Sequence, residues 1–587
     1  MNLLKHQLMT VFCAVGLGFV APSQATSIVP TAAKASQSQS FSGAYAMPDD
    51  FSAQVVKEVL QRGGNAVDAA VAAAFVLAVT YPEAGNLGGG GFMTLAIKEQ
   101  NAPVKALFLD YRETAPAKAS RDMYLDDSGQ VVPFKSLIGA QASGVPGTVM
   151  GMWQAHQRFG SKPWYELLQP AIKFAEQGFI VPQKLQTTRE WFQGWVANKS
   201  EAPLNFNSYF AELKAGERFV QPELAQTLKR IANKGADEFY RGQTARQLVQ
   251  FYQKVGGLIS EQDLASYQAK WREPVRFDWR GKTLISAPPP SSGGIAIAQL
   301  LGMEQLLWDS YQQRLQTLNS DAEREALRVH FYAEMMKRVY ADRAHYLGDS
   351  DFVAVPIEPL KSQSYLQKRA KEVNLSEISK TSAVKYGAIE SPETTHFSIV
   401  DAQGSAVSNT YTLNMPFGNG MVIEGAGFLM NNEMDDFSTK PGVANIFGVV
   451  GGTANEIAPH KRMLSSMSPT IVLKNNDVDM VVGTPGGSTI ITSVFQTIMN
   501  VYQFGMDAQQ AVDAPRVHHQ LLPKDRISYN PSLDSEVKAE LELMGYEPKQ
   551  HNYMGDVQLL WRAKEGWQVG VDERGRGDGA ALVRVQP

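Results

Sequence analysis

The hydroxyl of Thr394 is the group in this sequence whose setting most directly suggests a nucleophile. Thr394 follows Glu393 and opens the segment Thr394-Thr395-His396-Phe397-Ser398. Inside an intact chain a threonine hydroxyl has no base beside it, but cleavage before Thr394 would create an α-amine with an ordinary pKa of about 7.7–8. Such an amine can accept the hydroxyl proton at neutral pH. A Thr pair that opens a β-branched run is also typical of an ordinary strand, so the segment alone leaves both interpretations open.

Two neighbouring strands would bring further polar side chains to Thr394. The pattern predicts strands over 395–400 and 405–412, joined by a tight turn that ends in a glycine. Pairing them around a three-residue loop places Thr412 roughly opposite Thr394. Because side chains alternate along a strand, Asn414 is expected on the same face as Thr412. The alternative is a solvated sheet edge, since a register shift of one residue would separate these groups.

Three charged residues could bind a substrate or act as acids and bases. Arg112 ends a predicted strand, and its planar fork of donors suits a carboxylate. Glu433 and Asp436 are three residues apart and could form a general acid–base pair or half of a metal site. No histidine pattern near them supports a metal.

Two pairs of small residues are candidates for less direct roles. Ser465-Ser466 is not surrounded by the G-x-S-x-G pattern of a nucleophile elbow, so hydrogen bonding to a substrate is the simpler interpretation. Gly486-Gly487 offers two adjacent backbone N–H groups without side-chain obstruction, which suits an oxyanion hole but is also typical of a turn.

Several long motifs, in one order along the chain, resemble those of γ-glutamyltranspeptidases. The resemblance runs from about residue 42 to near the C-terminus, and the ordered set is far more specific than any single motif. The motifs are Gly64-Asn65-Ala66-Val67-Asp68-Ala69, Asn86-Leu87-Gly88-Gly89-Gly90-Gly91-Phe92, Asp110-Tyr111-Arg112-Glu113-Thr114-Ala115-Pro116, Thr394-Thr395-His396, Tyr411-Thr412-Leu413-Asn414, Asn431-Asn432-Glu433-Met434-Asp435-Asp436-Phe437, Lys461-Arg462-Met463-Leu464-Ser465-Ser466-Met467-Ser468-Pro469-Thr470 and Gly483-Thr484-Pro485-Gly486-Gly487-Ser488.

The resemblance implies a self-cleaving enzyme of the N-terminal-nucleophile hydrolase type. Its implied fold is α+β, a four-layer αββα sandwich built from a large subunit, 26–393, and a small catalytic subunit, 394–587. It implies transfer of a γ-glutamyl group from glutathione or a related donor to water or an amine, without a cofactor or a metal. The roles that it implies are nucleophile for Thr394 with Thr412 beside it, oxyanion hole for Gly486 and Gly487, carboxylate binding for Arg112, Ser465 and Ser466, and ammonium binding for Asn414, Glu433 and Asp436.

The N-terminal residues differ from the rest of the chain. Lys5 precedes an apolar run from Leu8 to Val20, and Ser23-Gln24-Ala25 supplies small residues at the usual cleavage spacing. Residues 1–25 are therefore predicted to be a signal peptide, and the protein is expected to be periplasmic or secreted without membrane insertion. Cys13, the only cysteine, lies in this segment, so no disulfide is expected after its removal.

Composition excludes some classes of partner and supports a globular protein. The 587 residues carry a formal net charge of −4 with both signs mixed, which predicts no surface for nucleic acid. Helices are predicted over 50–61 and 66–80, the second capped by Asn65 and apolar on nearly all sides. The resemblance further implies a lid loop over 440–452, with Phe447 where related enzymes often have a tyrosine.

Two other functions fit parts of the sequence. A glutaryl or cephalosporin acylase of the same family would act on a substrate that lacks the α-ammonium, which would leave Glu433 and Asp436 without an obvious partner. A non-catalytic periplasmic binding protein could use the same polar pocket but would remain a single polypeptide.

Overall fold

The computed structural model describes residues 39–100, 102–197, 199, 204–381, 384, 394–440 and 452–585. The predicted signal peptide, Glu393 on the upstream side of the expected cleavage bond, and Phe447 of the expected lid lie outside these ranges. Within them, no helix combines the length and apolar composition needed to cross a membrane.

Two large sheets organise residues 41–584. A seven-stranded sheet has the order β18-β1-β9-β10-β2-β3-β6, and a six-stranded sheet has the order β17-β16-β12-β11-β8-β7. Two further sheets are small and have the orders β13-β14-β15 and β4-β5. The strands are β1 (Gln39–Met47), β2 (Gly90–Ile97), β3 (Lys105–Tyr111), β4 (Phe179–Ile180), β5 (Arg218–Phe219), β6 (Lys270–Arg272), β7 (Val275–Trp279), β8 (Lys282–Ser286), β9 (Thr395–Asp401), β10 (Ala406–Thr412), β11 (Thr470–Lys474), β12 (Asp477–Gly483), β13 (Arg516–His518), β14 (Arg526–Asn530), β15 (Glu547–Gln550), β16 (Gln558–Ala563), β17 (Gly566–Val571) and β18 (Asp578–Val585).

Helices pack on the outer faces of these sheets and on one another. They are α1 (Asp50–Gln61), α2 (Ala66–Thr80), α3 (Thr148–Phe159), α4 (Trp164–Gln177), α5 (Gln183–Val196), α6 (Phe206–Phe210), α7 (Pro222–Lys234), α8 (Ala236–Arg241), α9 (Gln243–Val255), α10 (Glu261–Ser266), α11 (Gly293–Leu315), α12 (Asp321–Tyr346), α13 (Ile357–Lys361), α14 (Gln363–Lys371), α15 (Thr489–Tyr502), α16 (Ala508–Asp513) and α17 (Ser535–Leu543). Short 3₁₀ helices span Ala140–Ala142, Glu433–Asp436 and Thr453–Asn455.

The layers follow the order helix, sheet, sheet, helix, which confirms the predicted four-layer α+β sandwich. Helix α2 packs on β9 and β10 of the first sheet, while α15 packs on β12 of the second. The two sheets contact each other through β9, β10 and β12. A cluster of apolar side chains that includes Ala44, Ala96 and Ile471 fills the space between them.

Helix α2 shows why the local sequence determines this element so well. All its residues are buried, as its apolar surface on every side predicts. The Asn65 side chain accepts hydrogen bonds from the N–H groups of Val67 and Asp68, and the Asp68 side chain accepts from the Asn65 N–H. This reciprocal capping satisfies N-terminal donors that would otherwise be buried without partners.

The predicted hairpin has the predicted register. Strands β9 and β10 pair antiparallel with Thr395 opposite Tyr411, so one step further Thr412 comes opposite Thr394. Gly404 in the connecting turn has a φ of 86°, which glycine adopts without steric cost. Strand alternation was the wrong reason for expecting Asn414 on the same face as Thr412. Strand β10 ends at Thr412, and Asn414 has a left-handed φ of 77°, so strand alternation does not orient its side chain.

Candidate active site

The cavity at the end of the β9–β10 hairpin brings together most of the residues singled out in the sequence. Nine of the ten predicted site residues line it, together with Met467 and Ile490. The nine are Arg112, Thr394, Thr412, Asn414, Glu433, Asp436, Ser465, Ser466 and Gly487. Gly486, the tenth, is adjacent to Gly487 in the chain but does not line the cavity.

Thr394 and Thr412 lie at the same end of the hairpin, because Thr412 ends β10 and Thr394 directly precedes the paired strand β9. Both are buried, with Thr394 6% exposed and Thr412 2% exposed. The Asn414 N–H donates to Thr412 Oγ1 over 2.7 Å, and the Thr412 carbonyl accepts from Asn86 Nδ2 over 2.9 Å. The residues that follow β10 therefore turn back onto the strand end and fix its geometry.

Asn414 reaches the cavity through its contact with a second asparagine. Its Nδ2 donates to the Asn432 carbonyl over 3.0 Å, while Asn432 Oδ1 accepts from the Met415 N–H over 3.1 Å. Asn432 directly precedes the 3₁₀ helix Glu433–Asp436, so these bonds tie the hairpin end to the acidic segment. Asn432 stands within one of the motifs but was not among the predicted site residues.

Arg112 is held between the two predicted acidic residues. Its Nη1 donates to Glu433 Oε1 over 2.5 Å, and its Nη2 donates to Asp436 Oδ2. In a 3₁₀ helix, residues three apart lie on the same face, which explains why both carboxylates reach one guanidinium. A cation and two anions side by side form a surface that suits a ligand carrying both charges.

Burial controls the protonation of this cluster. Burial alone would lower the pKa of Arg112, but the carboxylates of Glu433, Asp436 and Glu113 outweigh it and raise the pKa above its ordinary value. Burial likewise raises the pKa of Asp436 and raises that of Glu433 well above its usual range, against the opposing effect of Arg112. Burial therefore opposes ionisation of these acids, whereas Arg112 and, for Asp436, Arg343 favour it.

Glu113 is a further acidic residue of the site that was not among the predicted site residues. It is fully buried, its Oε2 lies 3.6 Å from Arg112 Nη1, and neither carboxyl oxygen has a hydrogen-bond partner in the described structure. Burial raises its pKa to about 8. The signals in the sequence were its position next to Arg112, just after β3, and its place in the same motif.

The segment that carries Ser465 and Ser466 closes the other side of Arg112. The carbonyl oxygens of Met463 and Leu464 accept from the Arg112 guanidinium over 3.4 and 3.5 Å. Ser465 Oγ accepts from the Met467 N–H over 3.1 Å. Ser466 Oγ is buried without a hydrogen-bond partner among the described residues, and it therefore has capacity for a ligand.

Gly486 and Gly487 form the loop between β12 and α15. Both have φ values, 132° and 55°, that favour glycine. The Thr489 N–H and the Ile490 N–H donate to the carbonyls of Gly486 and Gly487, respectively. In the described part of the chain, the N–H groups of Gly486 and Gly487 themselves donate no hydrogen bond.

His396 lies between the two sheets and has a structural environment. Its Nδ1 is 2.7 Å from Thr410 Oγ1, and its Nε2 is 3.1 Å from Ser398 Oγ. Burial lowers its pKa to about 3, so the ring is neutral. No group of three or more His, Cys, Asp or Glu side chains within the described ranges is arranged to hold a metal ion.

Known proteins resemble this chain over nearly its whole length. The family model for gamma-glutamyltranspeptidase matches residues 52–582, a range that includes the whole cavity. The glutathione hydrolase proenzyme of Pseudomonas aeruginosa is 54% identical over 543 residues, which cover 92% of this chain and 94% of that protein.

Two solved structures extend the comparison to the fold. A gamma-glutamyltranspeptidase from Pseudomonas nitroreducens, complexed with L-DON, is 51% identical with a TM-score of 0.53, and the match covers 58% of this chain and 97% of that one. A cephalosporin acylase from Bacillus halodurans is 25% identical with a TM-score of 0.78, over 96% of this chain and 99% of that one.

Proposed function

Because this chain belongs to the γ-glutamyltranspeptidase family, we propose that it is a self-processing γ-glutamyl transferase and hydrolase. Its donors are glutathione and related γ-glutamyl amides. Its acceptors are water and the amines of amino acids or peptides. No cofactor is needed for this chemistry, because the nucleophile, the base and the oxyanion donors all come from the chain.

The observation that carries the proposal is the ion cluster in the same cavity as Thr394. Arg112 is paired with Glu433 and Asp436. An amino-acid head group can exchange partners with this cluster, its carboxylate binding Arg112 and its ammonium binding the two acids. Each buried charge then keeps an opposite charge, which avoids the large cost of leaving one unpaired.

The reaction begins with attack of Thr394 Oγ on the γ-carbonyl of the donor. The α-amine of Thr394, free after self-cleavage, accepts the hydroxyl proton as the new C–O bond forms. The N–H groups of Gly486 and Gly487 stabilise the negative charge on the carbonyl oxygen. Collapse of the tetrahedral intermediate breaks the C–N bond of the donor, and the leaving amine takes up the proton from the Thr394 α-amine. Water or an acceptor amine then attacks the γ-glutamyl ester and releases the γ-glutamyl group from Thr394.

A glutaryl side chain fits this cluster less well. It presents a carboxylate to Arg112 but has no ammonium for Glu433 and Asp436. Binding would then draw Arg112 away from both acids and leave their charge unbalanced in a buried site. The charge arrangement therefore favours γ-glutamyl substrates over those of an acylase.

Self-cleavage between Glu393 and Thr394 would give chains of 26–393 and 394–587. Export to the periplasm or the medium is proposed from the signal-like residues 1–25. Thr394 directly precedes β9, so cleavage before it would leave the new amine beside the strand end, in the cavity.

A denaturing gel of purified protein tests the proposal. Wild type should separate into two fragments, and the smaller should begin with Thr394 by N-terminal sequencing. Thr394→Ala should remain one inactive chain, whereas Thr381→Ala, outside the cavity, should process normally. An uncut wild-type protein that binds but does not hydrolyse a γ-glutamyl anilide would instead identify a binding protein.

A further inference from the structure

The two glycine N–H groups assigned to the oxyanion hole belong to peptide planes whose other ends are held by threonine hydroxyls. A trans peptide is planar, and its N–H and C=O point in opposite directions. Whatever fixes the carbonyl of residue 485 therefore also orients the N–H of Gly486. The carbonyl of Gly486 orients the N–H of Gly487 in the same way.

Thr484 holds the first plane. Its hydroxyl donates to the Pro485 carbonyl over 2.8 Å and accepts from the Asp556 N–H over 2.9 Å. The Asp556 bond fixes the position of the Thr484 oxygen, because a buried backbone N–H is costly to leave unpaired. Thr484 is itself fully buried, so water does not compete for this hydroxyl.

Thr489 holds the second plane. Its Oγ1 donates to the Gly486 carbonyl over 2.8 Å, and its backbone N–H donates to the same oxygen over 3.0 Å. Thr489 is the first residue of α15 and is buried. The carbonyl of Gly486 is thus held by two donors from a rigid helix end, and the N–H of Gly487 is directed away from them.

The loop needs such external restraint. Gly486 and Gly487 both have positive φ, and two consecutive glycines can rotate a peptide plane with little steric resistance. Gly555 packs against the back of the first plane, where an added Cβ would lie 2.8 Å from the Pro485 carbonyl oxygen and 2.4 Å from Thr484 Oγ1. The space behind this plane is thus closed, and the plane has one well-packed orientation.

We propose that the hydroxyls of Thr484 and Thr489 position the Gly486 and Gly487 N–H groups for transition-state stabilisation, each by holding the carbonyl of the same peptide plane. The inference rests on the proposed acyl-transfer function and on the assignment of these glycines. Neither threonine lines the cavity, so both are positioning residues. A reaction whose oxyanion is stabilised by preorganised donors becomes slower when those donors are free to turn.

The test replaces each threonine by valine, which keeps the shape and removes the hydroxyl, and by serine, which keeps the hydroxyl. With a γ-glutamyl anilide, kcat per titrated active site should fall about 10- to 100-fold in Thr484→Val, because one oxyanion donor is typically worth about 10²–10³ in kcat. A smaller fall is expected in Thr489→Val, where the backbone N–H still holds the carbonyl. KM should stay within about two-fold, and the serine variants should recover most of the rate.

The Ki of a tetrahedral boronic acid analogue of the γ-glutamyl group is a second measurement, and a general structural defect would not change it in proportion to the rate. This Ki should rise in proportion to the loss in kcat/KM, since the analogue places an oxygen where the oxyanion forms. Thr497→Val is the matched control, because Thr497 is buried in the same helix as Thr489 and, among the described residues, its hydroxyl bonds only the Ser493 carbonyl. This control should keep the wild-type kcat and Ki.

The inference is overturned if processed Thr484→Val or Thr489→Val keeps a kcat within two-fold of wild type, or if serine fails to restore the rate. If the Thr484→Val precursor remains uncut, Thr489→Val is used for the test, because it leaves every backbone hydrogen bond of the loop intact. Wild-type turnover of the anilide is measured in parallel. Its absence would refute the proposed function, whereas unchanged variants of an active enzyme would refute only the role of the threonines.

Discussion

At the residue scale, the guanidinium of Arg112 determines how the cavity can bind charge. It is completely buried and uses separate nitrogens for Glu433 and Asp436. A planar fork can hold two partners in fixed directions, whereas a lysine ammonium is a point charge on a flexible stem. The geometry of the cluster, and not its charge alone, therefore depends on arginine.

Arg112→Lys should process normally but bind the donor weakly. We expect KM for a γ-glutamyl anilide to rise about 10-fold or more, since charge-assisted hydrogen bonds contribute about 1.5–3 kcal/mol each. Arg121→Lys is the control, because Arg121 is exposed and its ion pairs within the described ranges are with Asp122 and Glu456, outside the cavity. An unchanged KM in Arg112→Lys would remove Arg112 from the substrate site.

Asp436→Asn should reduce the preference for γ-glutamyl over glutaryl substrates. Asparagine keeps the shape but removes one negative charge that an ammonium would need. Wild type should favour a γ-glutamyl anilide over the matching glutaryl anilide. In the mutant we expect that ratio of kcat/KM values to shrink about 10-fold, mainly through loss on the γ-glutamyl side.

The exposed Asp477, which pairs with Lys98, provides a control in Asp477→Asn. Comparing both substrates in wild type and mutant isolates the charge contact as a double difference. Equal weakening of both substrates, or a wild type that favours the glutaryl compound, would support the acylase instead.

Asp435 should make stability depend on pH. Its side chain is buried and accepts from Ser136 Oγ over 2.5 Å, and burial raises its pKa to about 7 from an ordinary 3.8. Between these values the folded state keeps a proton that the unfolded state releases, so this residue lowers stability as pH rises from about 4 to 7.

Asp435→Asn removes that titration while keeping an oxygen for Ser136. The melting temperature of the mutant relative to wild type should therefore increase from pH 4.5 to pH 8, with a free-energy change of up to about 3 kcal/mol. A difference that stays constant across this pH range would show that Asp435 does not titrate there.

At the scale of secondary-structure elements, the close approach of β9 and β12 supports the nucleophile. Gly483 ends β12, and an added Cβ would lie 2.2 Å from the His396 ring of β9. The ring cannot move freely because both its nitrogens are hydrogen-bonded within the first sheet. Thr394 is only two residues from His396, so any displacement of β9 reaches it.

Gly483→Ala should therefore destabilise the protein and slow self-cleavage. Overpacking of this kind typically costs about 1–3 kcal/mol, which should appear as a lower melting temperature. Gly194→Ala is the control, since a Cβ there meets nothing within 4 Å and Gly194 lies in helix α5. Equal melting temperatures for Gly483→Ala and wild type would show that the sheets separate without cost.

At the scale of the whole molecule, the proposed chains share both sheets. In the first sheet β9 and β10 lie between β1 and β2, and in the second β11 pairs with β8. Strands β1, β2 and β8 come before residue 393, whereas β9, β10 and β11 come after it. Neither chain alone can complete a sheet, and exposed strand edges promote aggregation.

The segment 394–587 produced alone should therefore be insoluble or unfolded. Co-expression with 26–393 should restore a soluble complex, and the two processed chains of wild type should elute together until denaturant is added. Solubility and circular dichroism measure the first outcome, and size-exclusion chromatography the second. A cooperative melt of isolated 394–587 would contradict the shared-sheet arrangement.

The sequence alone was sufficient for features that depend on local chemistry or on periodic pattern. The capped, apolar helix α2 and the register of the β9–β10 hairpin followed from capping residues, alternation and turn chemistry. The family, and with it the four-layer fold, followed from long motifs in order. These features can be predicted because each is encoded within short stretches of the chain.

Tertiary structure decided the contacts between distant segments. Only the fold shows that Arg112 is paired with Glu433 and Asp436, more than 300 residues away in the chain, and that Glu113 is buried beside them. Asn414 reaches the cavity through a left-handed turn held by Asn432, and not through the strand alternation that predicted it. Burial, charge pairing and pKa depend on which segments meet in space, and local sequence patterns do not encode that.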